Sequence, residues 1–507
     1  MKKNLLYILL LMFPLTALAQ KETEVIKNFE NDVENIVKTF RVNEHVNIMQ
    51  VLKTNNKFDL IAINDQMQVL WKVTLKGYAF SSGKFKDKII AIAAEDYSAA
   101  NGPDNKYNGY LIDIATGKVL LQKEIFNDPD HFVDISSFLL DPKGDFFEIV
   151  VKQTGVSRNF FSVTRTDNKS AKIIKSVTII DYNAQLEPTP YKANVQDGSL
   201  ASITSNTYGD IFLGWLNRTT LIINKYTVGQ QSGVKGSEID LGLTDDKDET
   251  ANSFKLFPSS SKRDEIYFTF MNVILNGAQL EVGNYNFFTG HNFIVKQLIS
   301  KDTLKDLTET ALYEKNNKNF RPYFWAPHSL YIKFAKEDNG NIIVALSEMY
   351  TGQEVQTMGN NGMVRTGNIT TQEPSFRYVS ESSTLIYGLD KNLNSKYKAV
   401  LPTGYTISGV IPLTVALHMD GQYLHIIGNQ TQHSKLTTMY GKLNLATGKW
   451  DTMGWLNKDK IGNHGSFGYG ACWFANCMIT SFVAPANLLS KKLDILLKKY
   501  NYSSIIK

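Results

Sequence analysis

Net charge is nearly absent from this chain. Its 54 Lys and Arg against 49 Asp and Glu leave only +5 over 507 residues. A nucleic-acid binder needs a basic face, so that class is excluded. Proline is sparse, at 13 residues, while aromatics make up 11%, which points to abundant strand and away from disorder. Past the N-terminus no apolar run approaches the length of a membrane span, so no transmembrane segment is expected once a leader is removed.

Catalytic signatures are missing as well. There is no Gly-x-Ser-x-Gly elbow and no phosphate-binding Gly-Lys-Ser/Thr loop. Asp245, Asp246, Asp248 and Glu249 form the densest acid cluster, but without the order of a calcium loop, and they read as a solvated loop. Asp390, Asn392 and Asn394 open with calcium-loop spacing, yet Ser395 and Leu401 stand where Gly and Glu are needed, so a hairpin turn is expected. His418, His425 and His433 are the closest histidines. The odd offset of the first two would send them to opposite faces of one strand, so they are expected to be unliganded. His464 with Cys472 is a weak nucleophile pair. The two cysteines, Cys472 and Cys477, form either one local disulfide, needing a turn at 474–476, or two buried thiols. No cofactor and no metal are expected.

What is present begins with an export signal. Lys2 and Lys3 precede the apolar stretch 5–15, and Ala17-Leu18-Ala19 gives a small-x-small cleavage site before Gln20. The chain is therefore expected to be exported to the periplasm or cell surface, with 1–19 as signal peptide. Ile26, Phe29, Val33, Ile36, Val37 and Phe40 fall at steps of three and four, which predicts a helical extension over 20–44. Leu489, Leu493, Leu496 and Leu497 among Lys491, Lys492, Lys498 and Lys499 predict a second helix within 485–507.

Between them the period changes to two. Trp71, Val73 and Leu75 share a face while Lys72 and Thr74 take the other. Strand–turn–strand units recur at 57–75, 109–125, 383–401 and 439–456. Outer-hairpin turns near 66, 116, 168, 231, 290, 393 and 447 are spaced about fifty to sixty residues apart, with one interval of about a hundred. This predicts an all-β chain with a single β-propeller over 45–484, of seven blades with eight as the alternative, carrying an insertion at 301–376. Blade one is short of an inner strand, which the last strands of the chain are expected to supply.

The segment LIDIATGKVLLQKEI at 111–125 resembles the repeat of pyrroloquinoline-quinone-type propellers, whose blades end in strand, D-x-x-T-G-K, strand. LNLATGKWDTM at 443–453 matches it with Asn444 at the Asp position. The resemblance implies a propeller blade. The family's alcohol dehydrogenases add stacked tryptophans, an adjacent cysteine pair and a calcium. Here no adjacent pair exists and Leu121 takes a usual Trp position, so no cofactor is carried over. Gly117 supplies a positive φ and Asp113 a turn acceptor without one. In general style the chain is similar to exported propeller proteins of Bacteroidetes.

The functional expectation is an exported binding or scaffold protein of the bacterial envelope, with an envelope protein or glycan as partner. Its site is expected on the central face together with the insertion, where Arg321, Tyr323, Phe324 and Trp325 are the candidate ligand-binding residues. The same residues would equally serve as a hydrophobic staple. The alternative is an enzyme, either a glycan-active hydrolase or lyase or a degenerate quinoprotein. That reading requires carboxylates, or His with acids, converging in the central funnel.

Overall fold

Strands with apolar side chains on both faces have to be covered on both sides. In the computed structural model, eight antiparallel sheets meet that need by standing side by side around an axis. The structure describes residues 33–502, apart from 158–173, 244–249, 316–323, 355–375, 409–415, 456–465, 486–492 and a few shorter loop segments. The protein is an eight-bladed β-propeller. Its innermost strands are Val33–Arg41, Tyr78–Phe85, His131–Leu140, Ser199–Ser205, Thr250–Pro258, Leu330–Asp338, Ala416–Met419 and Ser466–Trp473. The inner strand of the last blade packs back on that of the first, which closes the ring. Thr39 Oγ1 donates to the Ala471 carbonyl at 2.9 Å and Asn47 Nδ2 to the Trp473 carbonyl at 3.3 Å across that seam.

Every blade interface among the described residues holds its own buried cluster. Ile48, Leu60 and Ala62 of blade 1 pack with Ile89, Ala91 and Tyr110 of blade 2. Met49, Ile61 and Ile63, the alternate residues of the same strands, pack with Cys472, Ile479 and Leu497 of blade 8. Period-two alternation thus sends successive side chains to opposite neighbours.

Several expectations are corrected. The segment read as an N-terminal helix contains the strand Val33–Arg41, and the segment read as a closing helix contains the strand Leu493–Asn501. Short apolar runs fit either period, and pairing with Val46–Lys53 and Cys477–Pro485 decides for strand. Blade 1 therefore has its own inner strand. The count of seven is corrected to eight: the last blade has three strands, Ser466–Trp473, Cys477–Pro485 and Leu493–Asn501, and so lacks the outer hairpin by which blades were counted. Blade 3's outer turn lies at Asn183–Glu187, whereas position 168 is outside the described residues. Of the two alternatives for the cysteine pair, the structure has the buried thiols. Cys472 and Cys477 are both free and buried in the core between blades 8 and 1.

The wide interval belongs to blade 6. Helix α1, Lys301–Lys315, begins with a reciprocal cap in which the Thr303 amide donates to Ser300 Oγ at 3.1 Å, and Leu304 enters the core between blades 5 and 6. The segment expected as an insertion also contains blade 6's first two strands, Leu330–Asp338 and Asn341–Glu354. The second of these runs on to pair with Phe376–Glu381.

The T-G-K turns lock neighbouring blades. Asp113 Oδ1 accepts the Thr116 amide and hydroxyl, both at 2.7 Å, and Gly117 takes φ +71°. A Cβ on Gly117 would stand 2.5 Å from the Trp71 ring of blade 1, whose indole N–H donates to the Ile114 carbonyl at 2.8 Å. Gly448 accommodates Tyr397 of blade 6 in the same way. Gly290, with φ +68°, has no neighbour within 4 Å. In denaturant unfolding, Gly117→Val is expected to cost about 2 kcal/mol or more through conformation plus collision, and Gly290→Ala about 1 kcal/mol through conformation alone. Equal losses would show that the Trp71 contact contributes nothing.

Candidate functional site

The inner strands converge at the axis, so their exposed groups line a central channel. On seven of them the pairing with the second strand slips partway along. A slip of this kind adds local twist and re-aims a side chain. Lys333 occupies the slip in blade 6, the place held by Phe80 in blade 2 and Ala201 in blade 4. Burial lowers Lys255 of blade 5 and pushes Lys333 down to about 7. Lys38 of blade 1 donates to the Phe80 carbonyl at 3.0 Å.

The lower face carries the turns between first and second strands. At its channel mouth, Arg41 ends the inner strand of blade 1, and Lys336, His418 and Trp473 lie near the ends of those of blades 6, 7 and 8. The His418 ring stacks on Trp473, with centroids 5.4 Å apart and planes at 15°. His418 and His425 are direct cross-strand partners and their rings lie 5.9 Å apart. His425 is buried, with Nδ1 2.8 Å from Tyr440 Oη and Nε2 3.1 Å from Asp420 Oδ2. Tyr502 covers this knot, stacked on Tyr440 with its hydroxyl donating to the Phe474 carbonyl at 3.1 Å.

Electrostatics follow from this packing. Burial, then His425, Arg41 and Lys336, pull His418 from its ordinary 6.5 to about 4, opposed by Asp420. Burial lowers His425 too, against the pull of Asp420. Burial alone would raise Asp420, but the Tyr423 amide and His425 prevail and hold it low.

A second knot joins blades 4 and 5. The buried Asp210 carboxylate accepts Nε and Nη2 of Arg263, each at 2.8 Å, and lies 3.1 Å from Lys225 Nζ. Burial opposes its charge, but the bonds from Arg263, Asn206 and Lys225 outweigh it and lower the carboxyl. The Arg263 guanidinium also stands 5.7 Å above the half-exposed Tyr208 ring.

Few of the residues singled out in sequence are among those the structure describes. Phe324 is half-buried against the core between blades 5 and 6. Arg321, Tyr323 and Trp325 lie outside the described residues, as do His433, His464 and the acid cluster at 245–249. Asp390 accepts the amides of Asn392 and Asn394 at 2.8 and 2.9 Å, making the expected hairpin turn. Among the described residues no group of three or more His, Cys, Asp or Glu is placed to hold a metal. The His418–His425 pairing was missed because both were placed on one strand. Their odd separation around Asp420-Gly421 is what facing positions of a hairpin require.

No protein-family model and no curated protein matches the chain. Among solved structures, the WD40 domain of SCAP from fission yeast is similar at 9% identity and TM-score 0.42, with 93% of this chain and 96% of that chain covered. BamB from Moraxella catarrhalis is similar at 9% identity and TM-score 0.40, covering 94% and 99%. The polysaccharide lyase Uly1 is similar at 10% identity and TM-score 0.37, covering 93% and 99%.

Because the folded state holds His418 at about 4 against its ordinary 6.5, its contribution is complete above pH 6.5 and is lost as pH falls toward 4, where the unfolded chain takes the proton first. Unfolding curves at pH 7.5 and 4.5 should show His418→Gln recovering about 2 kcal/mol of the wild-type acid loss. An identical acid loss in both proteins would contradict the burial of a neutral imidazole.

Proposed function

We propose that this protein is an exported, ligand-binding propeller of a bacterial envelope, which holds an envelope protein or glycan and does not transform it. The observation that carries this reading is the state of its acids. Bonds from turn amides, hydroxyls or cations keep Asp113, Asp210, Asp390 and Asp420 below the usual carboxylate range. A carboxyl used as a general acid has to be pushed the other way. These four carboxylates bind turns and blades together, and the inner strands of blades 1, 5 and 6 carry Lys38, Lys255 and Lys333.

Export is supported by Lys2, Lys3, the apolar stretch and Ala17-Leu18-Ala19 before Gln20. The T-G-K turns at Asp113 and Asn444 are accounted for by the interblade contacts of Gly117 and Gly448, so the reading needs no quinone. The binding surface comprises the channel mouths and the segment after helix α1 with Arg321, Tyr323 and Trp325. Phe324 is set aside as a packing residue because it lies against the core.

The test is capture from native envelope extracts by the wild type and by the triple variant R321A/Y323A/W325A, which spares Phe324. At least a tenfold loss of the captured component is expected in the variant. Unchanged capture would remove that segment from the site, and turnover of an envelope polysaccharide by the wild type would overturn the binding reading.

A further inference from the structure

We propose that the lower channel mouth between blades 6 and 1 is an anion-binding site, where Arg41 and Lys336 take a carboxylate, sulfate or phosphate group of an acidic ligand beside His418. This deepens the binding reading above and rests on it.

Several cations elsewhere in the described structure are matched to acids. Lys53 and Lys72 approach Asp59, Lys225 and Arg263 approach Asp210, Lys262 approaches Glu265, and Lys296 approaches Glu281. Arg41 and Lys336 are not matched in this way. Both are exposed, and among the described residues neither forms an ion pair. Arg41 donates Nε–H to the Asn43 carbonyl at 3.1 Å, which leaves its terminal nitrogens for a ligand.

They stand on strands three blades apart along one arc of the ring, and both act on the same imidazole, that of His418. All three lie at or near the ends of inner strands at the same mouth, and Asn47, the cross-strand partner of Arg41, bonds the carbonyl of the Trp473 that stacks on His418. Of the acids, Asp420 reaches it, but that carboxylate already accepts the Gln422 amide at 3.2 Å, the Tyr423 amide at 2.7 Å and His425 Nε2 at 3.1 Å. Its charge is committed to the turn. Among the described residues, the rings around His418 are His425, Trp473 and, beyond them, Tyr440 and Tyr502.

The floor of the site is fixed before any ligand arrives. Trp473 clamps the His418 ring by stacking, and Asn47 Nδ2 ties the Trp473 carbonyl to blade 1. Two cations held near a neutral imidazole repel one another and disfavour its protonation. An anion between them relieves both effects, so it binds more tightly as His418 takes a proton. A planar guanidinium with free terminal nitrogens suits a bidentate oxyanion, and the lysine adds a point charge.

The test follows the His418 side-chain resonances through a pH titration of the full-length protein, with and without sodium sulfate, a sulfated or carboxylated oligosaccharide, and a neutral oligosaccharide. The acidic probes are expected to shift the His418 midpoint upward by about one unit, equivalent to tenfold coupling. R41Q/K336Q is expected to weaken their binding at least tenfold, while K118Q/K449Q, which alters exposed turns far along the blades, leaves it unchanged. Tighter binding of the oligosaccharide than of sulfate would assign the site to an acidic glycan, and equal binding to a small anion; either supports the site. A His418 midpoint indifferent to every acidic probe overturns it. Neutral-oligosaccharide binding that survives R41Q/K336Q would overturn the anion site while leaving the binding propeller standing.

Discussion

The whole architecture depends on one constraint: each blade is apolar on both faces. A sheet of this kind has no solvent side, so no blade is stable alone and every blade is a spacer between two others. Eight buried clusters, each drawing on adjacent blades, are the consequence. Closing the ring gives the first and last blades the neighbours they would otherwise lack. The seam between them is made by side-chain packing around Met49, Ile61, Cys472 and Leu497, and among the described residues no strand is shared across it.

Polar chemistry is arranged around that apolar framework. Asp210 with Arg263 and Lys225, and His425 with Asp420 and Tyr440, sit where turns meet neighbouring blades and fix one blade against the next. Such knots are costly unless fully bonded, which is why their acids remain ionised and their histidines neutral. The groups left over, Arg41 and Lys336 at the lower mouth, are cations near the axis. The channel thus inherits its character from residues the framework did not consume.

Local patterns were readable where short-range chemistry decides them. The Asp113 and Asn444 turns and the Asp390 hairpin all follow from residues within a few positions of each other. The strands at 33–41 and 493–501 were misread because their apolar spacing suits a helix equally well, and only pairing partners settle the period. Counting outer hairpins missed the three-stranded blade for a related reason, since a blade without an outer turn leaves no local mark. The candidate site was hidden more deeply. Arg41 and Lys336 are nearly three hundred residues apart, and each alone is an ordinary surface cation.

Period-two alternation, turn chemistry and near-neutral charge, all local or additive properties, determined from the sequence alone that the chain would form a closed array of small antiparallel sheets. The number of blades, the free state of Cys472 and Cys477, and the meeting of Arg41, Lys336, His418 and Trp473 were decided by the tertiary structure. These depend on which strand ends the ring brings together, and closure joins residues more than four hundred positions apart, a distance over which no sequence period carries information.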